Sequence, residues 1–174
     1  MDPDELARRA RDLVVDDAAA QRSRRSARRA AADELASLAA LVLAAARRRR
    51  EVGLTLLGGQ QLRLVPSLVG ADVVAGARPG APTEIVALAA VAAIDLDPDL
   101  GPDPDADPTE PSLHDVLTSI VDERPPVAVW TRDGLGPHAG DLAAVGLDAV
   151  VIAPGNGSRR AIPLSAIARL RLAP

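Results

Sequence analysis

The chain has 174 residues, 20 basic and 24 acidic, and is 48% hydrophobic, yet it holds one Trp and no Phe, Tyr or Cys. The lack of Cys excludes disulfides, thiolate nucleophiles and Cys-ligated zinc, and the lack of aromatics leaves an aliphatic core of Ala, Val, Leu and Ile. Residues 1–50 carry 12 Arg against 8 acidic residues and residues 51–174 carry 8 Arg against 16, so the larger part repels phosphate at long range and nucleic-acid affinity would need a local arginine patch.

The start, Met-Asp-Pro-Asp-Glu, lacks the positive and apolar stretches of a signal peptide. The longest apolar run, Leu35–Ala46, is too short to span a bilayer. The expectation is a cytoplasmic protein.

Residues 4–50 contain no Gly or Pro and are dominated by Ala, Arg, Leu, Asp and Glu, a composition that favours helix. A break is expected near Ala18–Ser26. Arg22, Arg24, Arg25, Arg28 and Arg29 lie on several sides of such a helix, which suits phosphate contact or an anionic membrane surface, or simply balances acidic surfaces elsewhere. Leu35, Leu38, Val42 and Ala45 form one apolar stripe, with Asp33 and Glu34 before it and Arg47–Arg50 after it, an arrangement that complements the helix dipole.

From Val52 the period changes from helical to alternating. Val52, Leu54 and Leu56, then Leu62 and Leu64, flank Gly58-Gly59 and predict two strands and a tight turn. Pro66 removes an amide donor inside the second strand and predicts a sharp bend there. Val73–Ala75, Ile85–Leu88 and Val91–Leu96 complete five strands.

Residues 97–111 are rich in Pro and Asp and read as a solvated linker. Ser112 and Asp115 sit at capping-box spacing ahead of an apolar face of Leu113, Val116, Leu117, Ile120 and Val121. Five more strands follow: Val127–Thr131, a bent strand through Leu142–Val145, Ala149–Ile152, Ala161–Leu164 and Ile167–Leu172. Asn156-Gly157 predicts a type I′ turn. Arg169 and Arg171 alternate with Leu170 and Leu172, which predicts one solvated face on the last strand.

The two strand blocks are copies of one pattern. Gly59 matches Gly134, and Gly70, Asp72, Val74, Ala77, Leu88, Ala90, Ala92 and Leu96 match Gly146, Asp148, Val150, Ala153, Leu164, Ala166, Ala168 and Leu172. One extra residue in the second copy, between the paired glycines, accounts for the whole alignment. Such duplication defines a repeating unit of a helix and five strands.

Val127, Val129, Asp133 and Gly134 in Val-x-Val-x-x-x-Asp-Gly, with Gly140–Asp148 in Gly-x-Leu-x-x-Val-Gly-x-Asp, resemble the Sm-like (LSm) barrel, and small SH3-like barrels share much of the pattern. The chain is also similar to a group of actinobacterial proteins in which a helical region precedes two such barrels. The resemblance implies an α+β, mainly β fold: two five-stranded Sm-like or SH3-like barrels, each preceded by a helix, plus an N-terminal helix. The implied divisions are residues 1–32, 33–96, a linker at 97–111, and 112–174. It implies edge-to-edge assembly through the fourth and fifth strands, with Ile85, Leu88, Ile94, Ile162, Leu164 and Leu170 as edge residues, and a pseudo-dimer of the two copies inside one chain. RNA-binding members of the family hold bases with an Asp-Asn pair; here Asp72 and Asp148 occupy the first place and no Asn follows.

No catalytic constellation is legible. His114 and His138 lack partners at metal-ligand spacing. Asp103, Asp105 and Asp107 imitate a calcium loop, but Pro108 replaces the required Gly. Ser112, His114 and Asp115 point different ways on one helical turn. The glycine pairs read as turns, and Trp130 as a packing residue or a partner anchor. No cofactor, metal or small-molecule substrate is expected. The expected role is a non-catalytic scaffold or interaction module whose edges pair with each other or with another chain. The alternative is an RNA- or DNA-binding regulator using Arg22, Arg24, Arg25, Arg28, Arg29, Arg159, Arg160, Arg169 and Arg171.

Overall fold

The computed structural model describes residues 37–100 and 111–173. The expected first helix with Arg22–Arg29, residue Leu35 and the aspartates at 103, 105 and 107 lie outside the described residues. The described part holds helix α1 (Leu38–Arg47), strands β1 (Val52–Leu56), β2 (Gln61–Val69), β3 (Val73–Ala77), β4 (Glu84–Ala87) and β5 (Val91–Asp95), helix α2 (Leu113–Ile120), and strands β6 (Pro126–Thr131), β7 (His138–Val145), β8 (Ala149–Ala153), β9 (Arg160–Pro163) and β10 (Ile167–Leu172). The described residues are mainly β with two α-helices. The strands form one antiparallel sheet of ten, ordered β5-β1-β2-β3-β4-β10-β6-β7-β8-β9, which does not close.

Helix α1 starts where Ser37 supplies an N-cap, its hydroxyl accepting from the Ala40 amide at 3.1 Å. Its buried face is Ala39, Ala40, Val42, Ala44 and Ala45. These small side chains let the helix lie close on β2 and β3. Helix α2 has the anticipated capping box: Ser112 Oγ accepts from the Asp115 amide at 3.2 Å and Asp115 Oδ2 accepts from the Ser112 amide at 2.9 Å. It buries Leu113, Val116 and Leu117, and Ile120 and Val121 pack partly against the same core. No helix among the described residues is long and apolar enough to cross a membrane.

Alternation governs the outer part of the sheet and continuous burial its middle. Leu62 and Leu64 are buried between exposed Gln61 and Arg63 on β2, whereas all four residues of β4 are buried. Pro66 sits in β2 without cost to the ladder because its nitrogen faces the side of β1, which pairs with β2 only as far as Leu64; the register against β3 shifts just beyond it, between Pro66 and Leu68. The second half has the same register shift at the matching place, between Leu142 and Ala144.

The repeat extends to individual hydrogen bonds. Gly70 N to Val73 O and Leu88 N to Asp72 O in the first half correspond to Gly146 N to Ala149 O and Leu164 N to Asp148 O in the second. Val52 lies opposite Leu64 and Val127 opposite Gly140, which puts the extra residue in the β6–β7 turn. That turn relies on Gly134 and Gly136, both at positive φ. The Asn156-Gly157 turn differs from expectation. Only Gly157 has positive φ, and Asn156 Oδ1 instead accepts from the amide and hydroxyl of Ser158, at 3.1 and 2.6 Å, so the loop is an Asx turn and not type I′.

Candidate functional site

The two halves meet where β4 pairs with β10: Val86 opposite Arg169, Ile85 opposite Leu170 and Glu84 opposite Arg171. Leu170, fully buried, sits between β4 and β6. The pseudo-dimer expected inside the chain thus uses Ile85 and Leu170. Ile162 and Leu164 take no part in it, because β9 lies at the far end of the sheet.

The polar face of this junction is a compact charge cluster. Glu84, 8% exposed, accepts at Oε1 from Arg171 Nε at 2.7 Å, and Arg169 Nη1 lies 3.9 Å from the same oxygen. The Arg169 guanidinium stacks 3.9 Å from the Trp130 ring centroid and that of Arg171 lies at 5.3 Å. Burial holds the Arg169 pKa below its ordinary value, against the opposing pull of Glu84. The β10 face that alternation assigned to solvent is covered in part: the Arg169 side chain is only 11% exposed, whereas that of Arg171 is 41% exposed. Trp130 acts as the packing surface for the two arginines, and it was the sole aromatic in an aliphatic chain that signalled its special position. Nothing in the sequence pattern paired Glu84 with residues 87 positions away.

A cavity of about 450 Å³ opens beside the cluster, lined by Gln61, Arg63, Arg78, Glu84, Arg169 and Arg171 among others. Arg63 and Arg78 lean on Glu51 at 3.5 and 3.6 Å. The cavity offers cations and no nucleophile–base pair, and among the described residues no group of three His, Cys, Asp or Glu could hold a metal ion.

Arg159 and Arg160 are exposed at β9, far along the sheet from Arg169 and Arg171. Arg160 donates to His138 Nδ1 at 2.7 Å, so that nitrogen acts as acceptor. The four arginines named for nucleic acid in this half do not form one patch. Arg169 and Arg171 are held by Glu84 and Trp130, and Arg159 and Arg160 stand at the open edge.

The ends of the sheet are the remaining feature. Among the described residues, strand β5 pairs only with β1 and strand β9 only with β8, so each has one row of backbone donors and acceptors without a described neighbouring strand. Ile94 lies on β5 and Ile162 on β9, while Leu88 and Leu164 lie in the 3-10 turns that follow β4 and β9.

Asp72 has a role that its place in the repeat did not disclose. Its Oδ1 accepts from the Leu113 amide at 2.7 Å, so the first half caps the helix of the second. A Cβ added at Gly70 would fall 1.7 Å from Pro111 O, which shows how closely the start of α2 rests on that turn.

No family model matches the chain, and neither a curated protein nor a solved structure matches it.

Proposed function

We propose that the protein is a non-catalytic scaffold or interaction module made of two small Sm-like or SH3-like barrels, and that it joins other chains through the open edges of β5 and β9. The barrel reading is supported by the order β5-β1-β2-β3-β4 in one half and β10-β6-β7-β8-β9 in the other, and by the bend in β2 and β7. The edge reading is carried by one observation: the chain already joins two of its own halves by strand pairing, β4 with β10, and among the described residues the two strands equivalent to these, β5 and β9, each have a neighbour on one side only.

Mass measurement of the native complex from the source cells tests the proposal. The full chain is expected in a complex larger than itself. Ala161→Pro, which removes an amide at the β9 edge, and Asp95→Arg on β5 are expected to release it, whereas Arg63→Ala is expected to leave it assembled. A monomer in the extract, or a complex indifferent to both edge changes, would refute the reading. A complex that dissolves steeply with salt and contains nucleic acid would favour the rival, a regulator that binds RNA or DNA through Arg159 and Arg160.

A further inference from the structure

We propose that the cavity at the junction of the two halves binds a small phosphomonoester with a hydroxylated, non-aromatic body, such as a sugar phosphate. The site does not depend on the open edges or on what joins them.

The cavity exists because the two copies meet. Arg63 comes from β2, Arg78 from the loop after β3 and Glu84 from β4, all in the first copy, while Arg169 and Arg171 come from β10 of the second. The repeat supplies an internal control on these side chains. Strand registers and the constant offset place Ala139, Pro154, Ala93 and Asp95 at the positions equivalent to Arg63, Arg78, Arg169 and Arg171. The same strands are thus built without an arginine at any of the four equivalent positions, so the fold does not require the cluster.

The cluster is not balanced by its own partners. Four guanidinium groups line the cavity, and among the described residues they pair with two carboxylates, Glu51 and Glu84. The positive excess suits a phosphomonoester, which is close to a dianion at neutral pH. Donors are also spare. Arg63 and Arg78 share Glu51 at 3.5 and 3.6 Å, longer than the roughly 2.7–2.9 Å of a charge-assisted hydrogen bond. Their side chains are 69% and 59% exposed. Arg171 uses only Nε on Glu84, and a guanidinium offers a planar fork of donors that matches phosphate oxygens.

Glu84 and Trp130 hold Arg169 and Arg171 in place, so a ligand meets a pre-formed pair. Glu84 Oε2 and Arg169 Nε are buried and find no hydrogen-bond partner among the described residues, although buried polar groups are ordinarily paired. An acceptor and a donor in the cavity wall, with Gln61 beside them, suit a body that carries hydroxyl groups. The volume of about 450 Å³ lies in the range of small-molecule sites. A nucleobase is disfavoured, because Trp130 is the sole aromatic of the chain and Arg169 already covers it at 3.9 Å.

Trp130 also reports on the site, since the two arginines lie on its ring. Titrating the full chain with ribose 5-phosphate, glucose 6-phosphate and glycerol 3-phosphate, followed by Trp130 fluorescence and by calorimetry, tests the proposal. At least one ester is expected to bind saturably with a Kd below about 1 mM, and glucose and inorganic phosphate about tenfold more weakly. Arg63→Ala and Arg78→Ala are each expected to weaken binding about tenfold, the loss of one charge-assisted contact, with unchanged urea midpoints. Arg159→Ala, at the far end of the sheet, is expected to leave binding intact. No saturable binding by any of the three esters, or equal affinity in both cavity variants, overturns the proposal. Inorganic phosphate that binds as tightly as the esters overturns it in favour of a bare anion site, and single-stranded RNA that binds where no ester does overturns it in favour of a nucleic-acid contact.

Discussion

Gly70 leaves no room for a side chain, since a Cβ there would meet the Pro111 carbonyl at 1.7 Å. Gly70→Ala must push α2 off its seat and is expected to destabilise the fold by about 1–3 kcal/mol, the usual cost of overpacking, read from the urea midpoint. Asp72→Ala removes the cap on Leu113 and should cost about 1 kcal/mol in the same assay. Glu84→Ala would leave Arg169 covered by Trp130 without its counter-charge, and a loss of about 2–3 kcal/mol is expected. Acid titrates two further contacts. Hydrogen bonds from Ser112 hold the Asp115 pKa below its ordinary 3.8, and those from Thr131 and Leu135 do the same for Asp133. Both carboxylates bind protons more weakly when folded, so their contribution is complete above the unfolded value and fades as pH falls through the lower folded one. Replacing both with Asn should lower stability at neutral pH and flatten its decline below pH 3.8, as followed by denaturant midpoints across a pH series.

At the scale of elements, the strands were legible because alternation and turn residues are local signals. Val52, Leu54 and Leu56 alternate in sequence and in burial, and the Ser112–Asp115 box needs only four residues to be recognised. Pairing between elements was less legible, since it depends on residues far apart. The resemblance implied that strands of the two copies would meet, but the meeting of β4 with β10 and the outward placement of β5 and β9 required the sheet itself. The solvated face assigned to β10 holds at Arg171 and fails at Arg169 for the same reason: Arg169 has a polar pattern and a covered environment, and Glu84 and Trp130 supply the difference. Leu170→Ala tests how far the two halves depend on this seam. The side chain is fully buried there, so a loss of about 2–5 kcal/mol is expected. A single cooperative transition should persist if the continuous sheet makes one folding unit.

Among the described residues, the duplicated unit has used one pair of edges, β4 and β10, to join its two copies and leaves β5 and β9 at the ends of the sheet. Residues 37–174 form one compact unit, and its end strands β5 and β9 are the surfaces on which the functional account depends. Site-resolved amide hydrogen exchange on the native complex tests that claim most directly. The amide of Ile85 should exchange slowly in every state because it pairs with β10. Those of Ile94 and Ala161 should exchange fast in the isolated monomer and become protected in the complex. Fast exchange at Ile94 and Ala161 in the assembled state would contradict the account.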